Sequence, residues 1–185
     1  MAKGKTHDKI TIALSPLIVI IFLMINVNLF ENKSQIVIVT VLAVSIYLFG
    51  GFMFSGDLDI KSMEYYRWGK LKFIWNPYQS MFKHRSIFTH GFLLGPIIRV
   101  IYIYIILLIV CGVLYSLRII NLATDEVIKA TIEYININKL IFINIGFALF
   151  LGSGLHTITD FTYSFIKKKF TNTKGHRKNR RKFIV

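Results

Sequence analysis

Four long apolar runs limit what this chain can fold into. They cover about residues 11–30, 35–54, 92–117 and 140–165, and each is rich in Ile, Leu, Val and Phe. A helix of about 20 apolar residues crosses the hydrocarbon core of a bilayer, which is roughly 30 Å thick. Because lipid offers no water to backbone groups, such runs are expected to be helices even where β-branched residues are frequent. We therefore predict an all-α, polytopic membrane protein with four transmembrane helices.

The basic residues of the chain indicate which side the termini occupy. The formal net charge is +14, from 23 Lys+Arg against 9 Asp+Glu. The basic residues concentrate before the first run, between the second and third runs, and after the fourth, and these three segments share one side of a four-helix topology. By the positive-inside rule that side is the cytoplasm. We predict a multi-pass protein of the cell membrane, inner or plasma, with both termini cytoplasmic.

Two of the basic segments have the composition of membrane-surface segments. Residues 61–83 interleave Lys and Arg with aromatic residues, including Trp68 and Trp75, which is typical of a cytoplasmic interfacial segment in the headgroup layer. Residues 167–185 form a basic tail that we predict to be disordered and cytoplasmic, beyond a single domain at 1–166. Each basic residue near an anionic surface contributes roughly 1 kcal/mol of attraction. We expect anionic membrane lipid as the partner. Basic residues interleaved with aromatic ones can also stack on single-stranded nucleic acid, but nothing in the sequence specifies a nucleic acid.

Polar residues that are able to bind metal collect at the ends of the apolar runs on this cytoplasmic side. They include four of the five histidines. The set consists of His7, Asp8, Asp57, Asp59, His84, His90, His156 and Asp160. Because the four helices have to pack together, we expect these groups to converge on one metal centre at one face of the membrane. Imidazole and carboxylate ligands suit zinc, our first choice, or manganese or iron better than calcium. So many candidate ligands allow one divalent ion or two.

The spacing within the two central pairs limits how each of them binds. Asp57 and Asp59 are two residues apart and do not share a helical face, so they suit an irregular or extended segment in which both carboxylates turn toward a cation. A solvated loop or a helix cap is the alternative for this pair. His84 and His90 are six residues apart, so the chain has to bend between them if both bind metal, or the two serve different ions.

The last pair lies inside the fourth run. His156 and Asp160 are one helical turn apart and therefore stack on one face. Ionisable groups within a spanning helix are costly, and they face the bundle or a wet cavity. Either both residues bind metal, or Asp160 orients His156. In the first run, the alternative is that Asp8 only complements the helix dipole and that His7 has no role in the site.

Four residues are candidates for catalytic roles beside the metal ligands. Asp8 or Asp160 could position a water molecule or act as a base. Arg85 is suited to neutralise phosphate charge through a two-pronged hydrogen bond, with plain positive-inside charge as its alternative. Arg99 is a weaker candidate, since snorkelling toward the cytoplasmic interface explains it as well.

From about residue 6 to residue 160, the order of these motifs resembles two related families. The N-terminal His, the Gly-Asp-Leu-Asp-Ile turn, the His-Arg-x-x-x-Thr-His-Gly segment and the late His-x-x-x-Asp pair resemble the membrane-bound metal-dependent hydrolases known as LexA-binding inner-membrane-associated hydrolases. The Thr-His-Asp start and the Trp-Asn-Pro-Tyr segment ahead of His84 look closer to their relatives, the uncharacterised metal-binding membrane proteins. The resemblance implies a membrane protein with a metal site and, through the first group, hydrolysis.

These observations lead to three functional hypotheses. The first is a metal-dependent hydrolase that acts on a phosphoester of a lipid or lipid-linked substrate at the cytoplasmic leaflet. The second is a non-catalytic metal-binding membrane protein, such as a sensor, a metal handler or a structural site. A transporter comes third, because the candidate ligands lie at one face rather than near the midplane.

Overall fold

Helices account for the secondary structure of the described chain. The computed structural model describes residues 4–84 and 86–180, and these two stretches contain no β-strand. The α-helices are α1 (Gly4–Leu29), α2 (Lys33–Phe52), α3 (Met63–Arg67), α4 (Trp75–Met81), α5 (Ile87–His90), α6 (Leu94–Ser116), α7 (Thr124–Ile137) and α8 (Lys139–Arg180). Two 3₁₀ segments, Gly56–Asp59 and Gly69–Ile74, lie between α2 and α4. The predicted all-α fold is confirmed.

Four of these helices are long and apolar enough to cross a membrane. They are α1, α2, α6 and the Lys139–Lys169 part of α8. The four helices coincide with the four apolar runs, except that α1 begins before the first run and α8 continues beyond the fourth. Because α1 already begins at Gly4, His7 and Asp8 lie within its first turns.

Helix α8 continues past the boundary that we predicted between a membrane domain and a tail. It runs without a break to Arg180, so no helix end coincides with the predicted boundary at residue 167. Lys and Arg are good helix formers, and a run of them does not by itself end a helix. The last part of the predicted tail, residues 181–185, lies outside the described residues.

Three of the spanning helices, α1, α2 and α8, pack along one another. Their shared core consists of Ile18, Phe22, Ala43, Tyr47 and Ala148. Helix α6 joins this bundle differently, because its buried residues all lie near its N-terminus: Gly95, Pro96, Arg99 and Tyr102. Farther along α6, Leu107 and Ile109 are more than half exposed. The remainder of α6 therefore presents an apolar surface to its surroundings, as a lipid-facing helix does.

Glycine allows α2 and α8 to cross closely. A Cβ atom built on Gly152 would lie 2.1 Å from the backbone oxygen of Tyr47 and 3.0 Å from the backbone nitrogen of Gly51. Small residues at such crossings let helix backbones approach each other, which strengthens packing between spanning helices. The α2–α8 contact brings His156, one turn farther along α8, next to the loop that follows α2.

We expect Gly152→Ala to destabilise the protein by about 1–3 kcal/mol, because the added methyl group would meet backbone atoms that cannot move independently. Gly146→Ala is the matched control on the same helix, since a Cβ there has no neighbour within 4 Å and alanine favours helix by up to about 1 kcal/mol. Thermal unfolding in detergent, followed by circular dichroism, measures both variants. Equal melting temperatures for the two would contradict a close crossing at Gly152.

The connection between α2 and α6 folds over one end of the bundle. Its core is a cluster of buried aromatic and aliphatic side chains: Phe54, Leu58, Tyr65, Trp75, Tyr78 and Tyr102. Trp75 contacts Tyr78 edge-on at 5.5 Å between ring centroids and stacks on Tyr102 at 5.7 Å, and such pairs stabilise a fold beyond their buried area. Residues 61–83, which we predicted to lie in the headgroup layer, thus form a partly buried cap over this end of the bundle, although Phe73 remains exposed.

Candidate metal centre

Carboxylate and imidazole groups from four segments meet beneath this cap, at one end of the bundle. They form two overlapping sets, and within each set one ligand atom per residue lies within 4.8 Å of the others. The outer set is Asp57, Asp59, His84 and His90. The inner set is Asp57, His90, His156 and Asp160. Six of the eight candidate metal-binding residues therefore lie in these two sets, and His7 and Asp8 do not.

The 3₁₀ segment Gly56–Asp59 directs both of its aspartates into the centre. Both carboxylates are buried, and the tight 3₁₀ geometry replaces the irregular or extended backbone that the sequence suggested. Gln79 of α4 holds this turn in place, since its side-chain amide donates to the backbone oxygens of Leu58 and Ile60, each at 3.0 Å. Gly56 leaves room for the imidazole of His90, whose nearest ring atom would lie 3.2 Å from an added Cβ.

Asp57 belongs to both sets because its two oxygens face different histidines. Oδ1 lies 3.2 Å from Nε2 of His90, and Oδ2 lies 3.5 Å from Nε2 of His156. Burial alone raises the pKa of the Asp57 carboxyl, but the neighbouring imidazoles of His156 and His90 outweigh it and hold the pKa well below its usual range. Asp57 is therefore ionised, which is the form that binds a cation.

The outer set is the part of the centre that reaches the surface. Nδ1 of His84 lies 2.9 Å from Oδ1 of Asp59, and Nδ1 of His90 lies 3.5 Å from Oδ2 of Asp59. The two imidazole rings approach to 5.1 Å between centroids. The side chain of His84 is 32% exposed, so this side of the centre is accessible from outside.

The inner set is enclosed and holds an imidazole without a hydrogen-bond partner. His156 Nε2 lies 3.5 Å from Oδ2 of Asp57 and 3.8 Å from Oδ2 of Asp160, and the side chain is 1% exposed. Neither of its ring nitrogens makes a hydrogen bond, and leaving one buried group unpaired costs about 1–3 kcal/mol. Two ligand atoms of one tetrahedral zinc ion, each roughly 2.1 Å from it, are about 3.4 Å apart. These residues therefore fit a metal ion better than they fit a hydrogen-bond network.

His7 lies beside the inner set but outside both four-residue sets. Its ring stacks on that of His156, with centroids 3.9 Å apart and planes at 22°. Its Nε2 is 3.3 Å from Oδ1 of Asp160, and both ring nitrogens are buried without a hydrogen-bond partner. The first turns of α1 thus place the predicted ligand His7 where it can reach the same ion as Asp160.

The catalytic candidates other than Asp160 are placed differently from the ligands. Asp8 forms a two-pronged ion pair with Arg67, with N–O distances of 2.9 and 2.5 Å, and this hydrogen bonding raises the pKa of the Arg67 guanidinium. The Asp8 carboxylate therefore joins α1 to α3 through this ion pair, and in this arrangement it does not position a water molecule. Arg85 lies outside the residues that the structure describes.

Contrary to the expectation from the sequence, Arg99 does not snorkel toward an interface. It is 1% exposed and donates to the backbone oxygen of Thr89 at 2.8 Å and to Oγ of Ser153 at 2.6 Å. Its guanidinium carbon also lies 5.5 Å from the centre of the Phe54 ring. Inward burial is favoured because these acceptors are available inside the bundle. Arg99 thereby ties α6 to α8 and to the segment that carries His90.

Glu64 is a part of the centre that sequence reasoning missed. It is 2% exposed, and its Oε1 lies 3.9 Å from Nδ1 of His156. A carboxylate behind a metal-binding histidine fixes the orientation of the ring and raises its basicity. No local signal marked it, since a single Glu in the first turn of α3 is also what the helix dipole favours.

Comparison with known proteins indicates that the chain is a metal-binding protein. A family model described as "Uncharacterized metal-binding protein (DUF2227)" matches residues 2–170, which include every residue of both sets. The chain is also similar to an uncharacterised protein of Aquifex aeolicus (strain VF5), with 41% identity over 58 residues. That alignment covers 31% of this chain and 40% of the relative, so the chain spans less than half the length of the curated relative it matches. No solved structure matches the chain.

Proposed function

We propose that this chain, which belongs to the DUF2227 family of uncharacterised metal-binding proteins, is a membrane-embedded hydrolase. It would hold two divalent metal ions and act on a phosphoester. Metal binding is supported by the family and by the two ligand sets. The hydrolase part is supported by the geometry of the centre alone, because the matching family is described as metal-binding and not as a hydrolase family.

The observation that carries the proposal is the position of Asp57 between the two sets. One carboxylate that belongs to both sets, with its two oxygens toward His90 and His156, is an arrangement by which a protein can hold two ions close together. When bound, such a pair would supply Lewis acidity toward a phosphoryl oxygen and lower the pKa of water. We propose zinc as the native ion, with manganese or iron as the alternatives that the same ligand chemistry allows.

Different residues of the chain would hold each of the two ions. Asp59 and His84 would hold the ion at the accessible side, and Asp160, His156 and His7 the enclosed one. His90 lies between them, with one ring nitrogen toward each aspartate of the 3₁₀ turn. Arg85, directly after His84 in the chain, is proposed to neutralise the phosphate group. Asp160 is the candidate base in the alternative arrangement in which His156 and His7 hold the enclosed ion without it.

The substrate that suits this position is a phosphoester at a membrane surface. The accessible side of the centre lies at the end of the spanning helices, in the connection that carries many of the basic residues. We propose that this end faces the cytoplasm, as the positive-inside rule indicates, and that the headgroup of a lipid or lipid-linked substrate enters past His84. The basic residues would attract anionic lipid there.

A second candidate function is favoured by the enclosure of the inner set. An ion held by His156, which is 1% exposed, would tie α8 to α1 and to the 3₁₀ turn without an open position for substrate. If the outer set also closed around its ion, the centre would be structural or a sensor. The two candidates differ in whether the outer set supports turnover.

We expect metal-loaded protein to release phosphate from phosphatidic acid in mixed micelles, and His84→Ala to lower that rate by about 100-fold or more, because the outer ion loses its accessible ligand. His176→Ala, which changes the histidine with no assigned role, is the control and should retain the wild-type rate. A chelator should abolish release in all three proteins. Wild-type protein that binds two ions and releases no phosphate from lipid or soluble phosphoesters would refute the hydrolase and favour the non-catalytic candidate.

A further inference from the structure

The hydroxyl group of Thr89 contacts the ring nitrogen of His90 that faces away from Asp57. Oγ1 of Thr89 lies 3.0 Å from Nδ1 of His90, whereas Nε2, on the other side of the ring, lies 3.2 Å from Oδ1 of Asp57. The nearer oxygen of Asp59 is 3.5 Å from Nδ1. The hydroxyl is therefore closer to Nδ1 than this carboxylate is, at a distance typical of a hydrogen bond.

Several contacts hold this hydroxyl in place. Thr89 is 1% exposed and lies in the short helix α5, where its Oγ1 is 3.3 Å from both the backbone oxygen and the Oγ of Ser86. The backbone oxygen of Thr89 accepts from Arg99 at 2.8 Å. A Cβ atom on Gly95 would lie 2.7 Å from that oxygen, so the start of α6 packs directly against the Thr89 backbone. These contacts fix the hydroxyl relative to the ring of His90.

When the Thr89 proton points toward Ser86, His90 is prepared to bind metal. The backbone oxygen of Ser86 accepts the Thr89 proton, and the Thr89 oxygen then accepts the proton of Nδ1. Nε2 is left with a lone pair that faces the ionised carboxylate of Asp57 at 3.2 Å. Two acceptors at this distance repel each other unless a cation lies between them, and two ligand atoms of a tetrahedral zinc ion are about 3.4 Å apart.

The same hydroxyl satisfies His90 in the metal-free protein, because a hydroxyl both donates and accepts. When it turns toward the ring, it donates to Nδ1, and Nε2 then carries the proton and donates it to Asp57. Valine has nearly the shape of threonine but offers neither hydrogen bond. Serine offers both. A hydroxyl at position 89 is therefore the feature that serves His90 in both states.

We propose that Thr89 is a positioning residue that selects Nε2 of His90 as the metal-binding nitrogen. With its Nδ1 proton held by Thr89, His90 binds a single ion beside Asp57 and does not bridge two ions through both ring nitrogens. A hydrogen-bond partner behind a metal-binding histidine fixes its tautomer and the orientation of its ring. This inference rests on the metal centre of the proposed function and does not depend on hydrolysis.

Zinc titrations of the full-length protein in detergent, with a chromogenic chelator as competitor, test the hydroxyl. We expect Thr89→Val to lower the affinity for one ion by about 10–100-fold. Thr89→Ser, which keeps the hydroxyl, should bind as the wild type does. Thr131→Val is the matched control. Thr131 of α7 also donates to a backbone oxygen, that of Val127 at 2.7 Å, but it belongs to neither ligand set, so its variant should keep the wild-type affinity.

Two results of these titrations would overturn the inference. Wild-type affinity in Thr89→Val would show that the hydroxyl is not needed. An equal loss in Thr89→Val and Thr89→Ser would show that packing at this position, and not the hydrogen bond to Nδ1, sets the affinity.

Nitrogen NMR of isotope-labelled histidine in the zinc-loaded wild type identifies the binding nitrogen and does not require a Thr89 variant to fold. The signals of His90 are assigned by their absence in His90→Gln. We expect a proton on Nδ1 and zinc on Nε2. Zinc on Nδ1, or on both ring nitrogens, would contradict the role of Thr89.

These measurements fail separately from the proposed hydrolase. A protein that shows the Thr89→Val loss and the Nδ1 proton but releases no phosphate from phosphoesters would support the role of Thr89 and refute the hydrolase. Phosphate release by a protein whose zinc affinity is unchanged in Thr89→Val would do the reverse. Wild-type protein that binds no metal would overturn both.

Discussion

Asp57→Asn is expected to remove both metal ions from the protein. The amide keeps the shape of the side chain but loses the charge, and each ion loses the carboxylate that the two sets share. Loss of partners behind a ligand costs 10–100-fold in metal affinity, so loss of a shared ligand should cost at least about 100-fold at both ions. A competition titration with a chromogenic zinc chelator measures the affinity and the number of ions bound.

Asp125→Asn is the matched control for this change. Asp125 lies in α7 on an exposed face, where it pairs with Lys129 at 3.3 Å, and it is absent from both ligand sets. Its variant should bind metal as the wild type does. If Asp57→Asn kept one ion at wild-type affinity, Asp57 would serve a single ion, and the shared-carboxylate arrangement would be wrong.

Arg99→Met is expected to lower the free energy of unfolding by about 3 kcal/mol, since each hydrogen bond from a charged donor contributes about 1.5–3 kcal/mol and two are lost. Methionine fills much of the same volume, so the effect reports the lost hydrogen bonds rather than a cavity. Metal affinity should fall as well, because Arg99 holds the backbone of Thr89, the residue before His90. Chemical denaturation in detergent and the chelator titration measure the two effects.

The control for Arg99→Met is Lys129→Met, which removes a basic residue from an exposed position on α7. Surface ion pairs contribute little, about 0–1 kcal/mol, so this variant should unfold nearly as the wild type does. Wild-type stability in Arg99→Met would show that the free-energy cost of burying the guanidinium equals the stabilisation that its hydrogen bonds provide. Wild-type metal affinity in the same variant would show that Arg99 does not position His90.

The features that the sequence predicted well are those that depend on one segment at a time. The length of each apolar run sets whether it can cross a membrane, so four spanning helices followed directly. The candidate metal ligands were recognisable because imidazole and carboxylate groups at the ends of apolar runs are costly unless something binds them. His156 and Asp160 also share a helix face, a relation that helical periodicity alone decides.

The features that the sequence did not reveal depend on which distant residues become partners. Asp8 pairs with Arg67, 59 residues away. Nothing in the sequence near either residue marks them as partners, because Asp8 also suits a charge that complements the helix dipole and Arg67 also suits a solvated cation in a loop. Glu64 faces His156 only because α3 is folded over the bundle. Arg99 points inward because Ser153 and the Thr89 carbonyl offer acceptors there, whereas a basic residue near a helix end ordinarily snorkels.

Elemental analysis of the wild-type protein tests the central claim most directly. The protein is purified in detergent without chelators, offered zinc, manganese and iron, and freed of unbound metal before its metal and protein contents are compared. Two overlapping ligand sets that share Asp57 predict two divalent ions per chain. A protein that retains no metal under these conditions would contradict the metal centre itself, and with it the function that we propose.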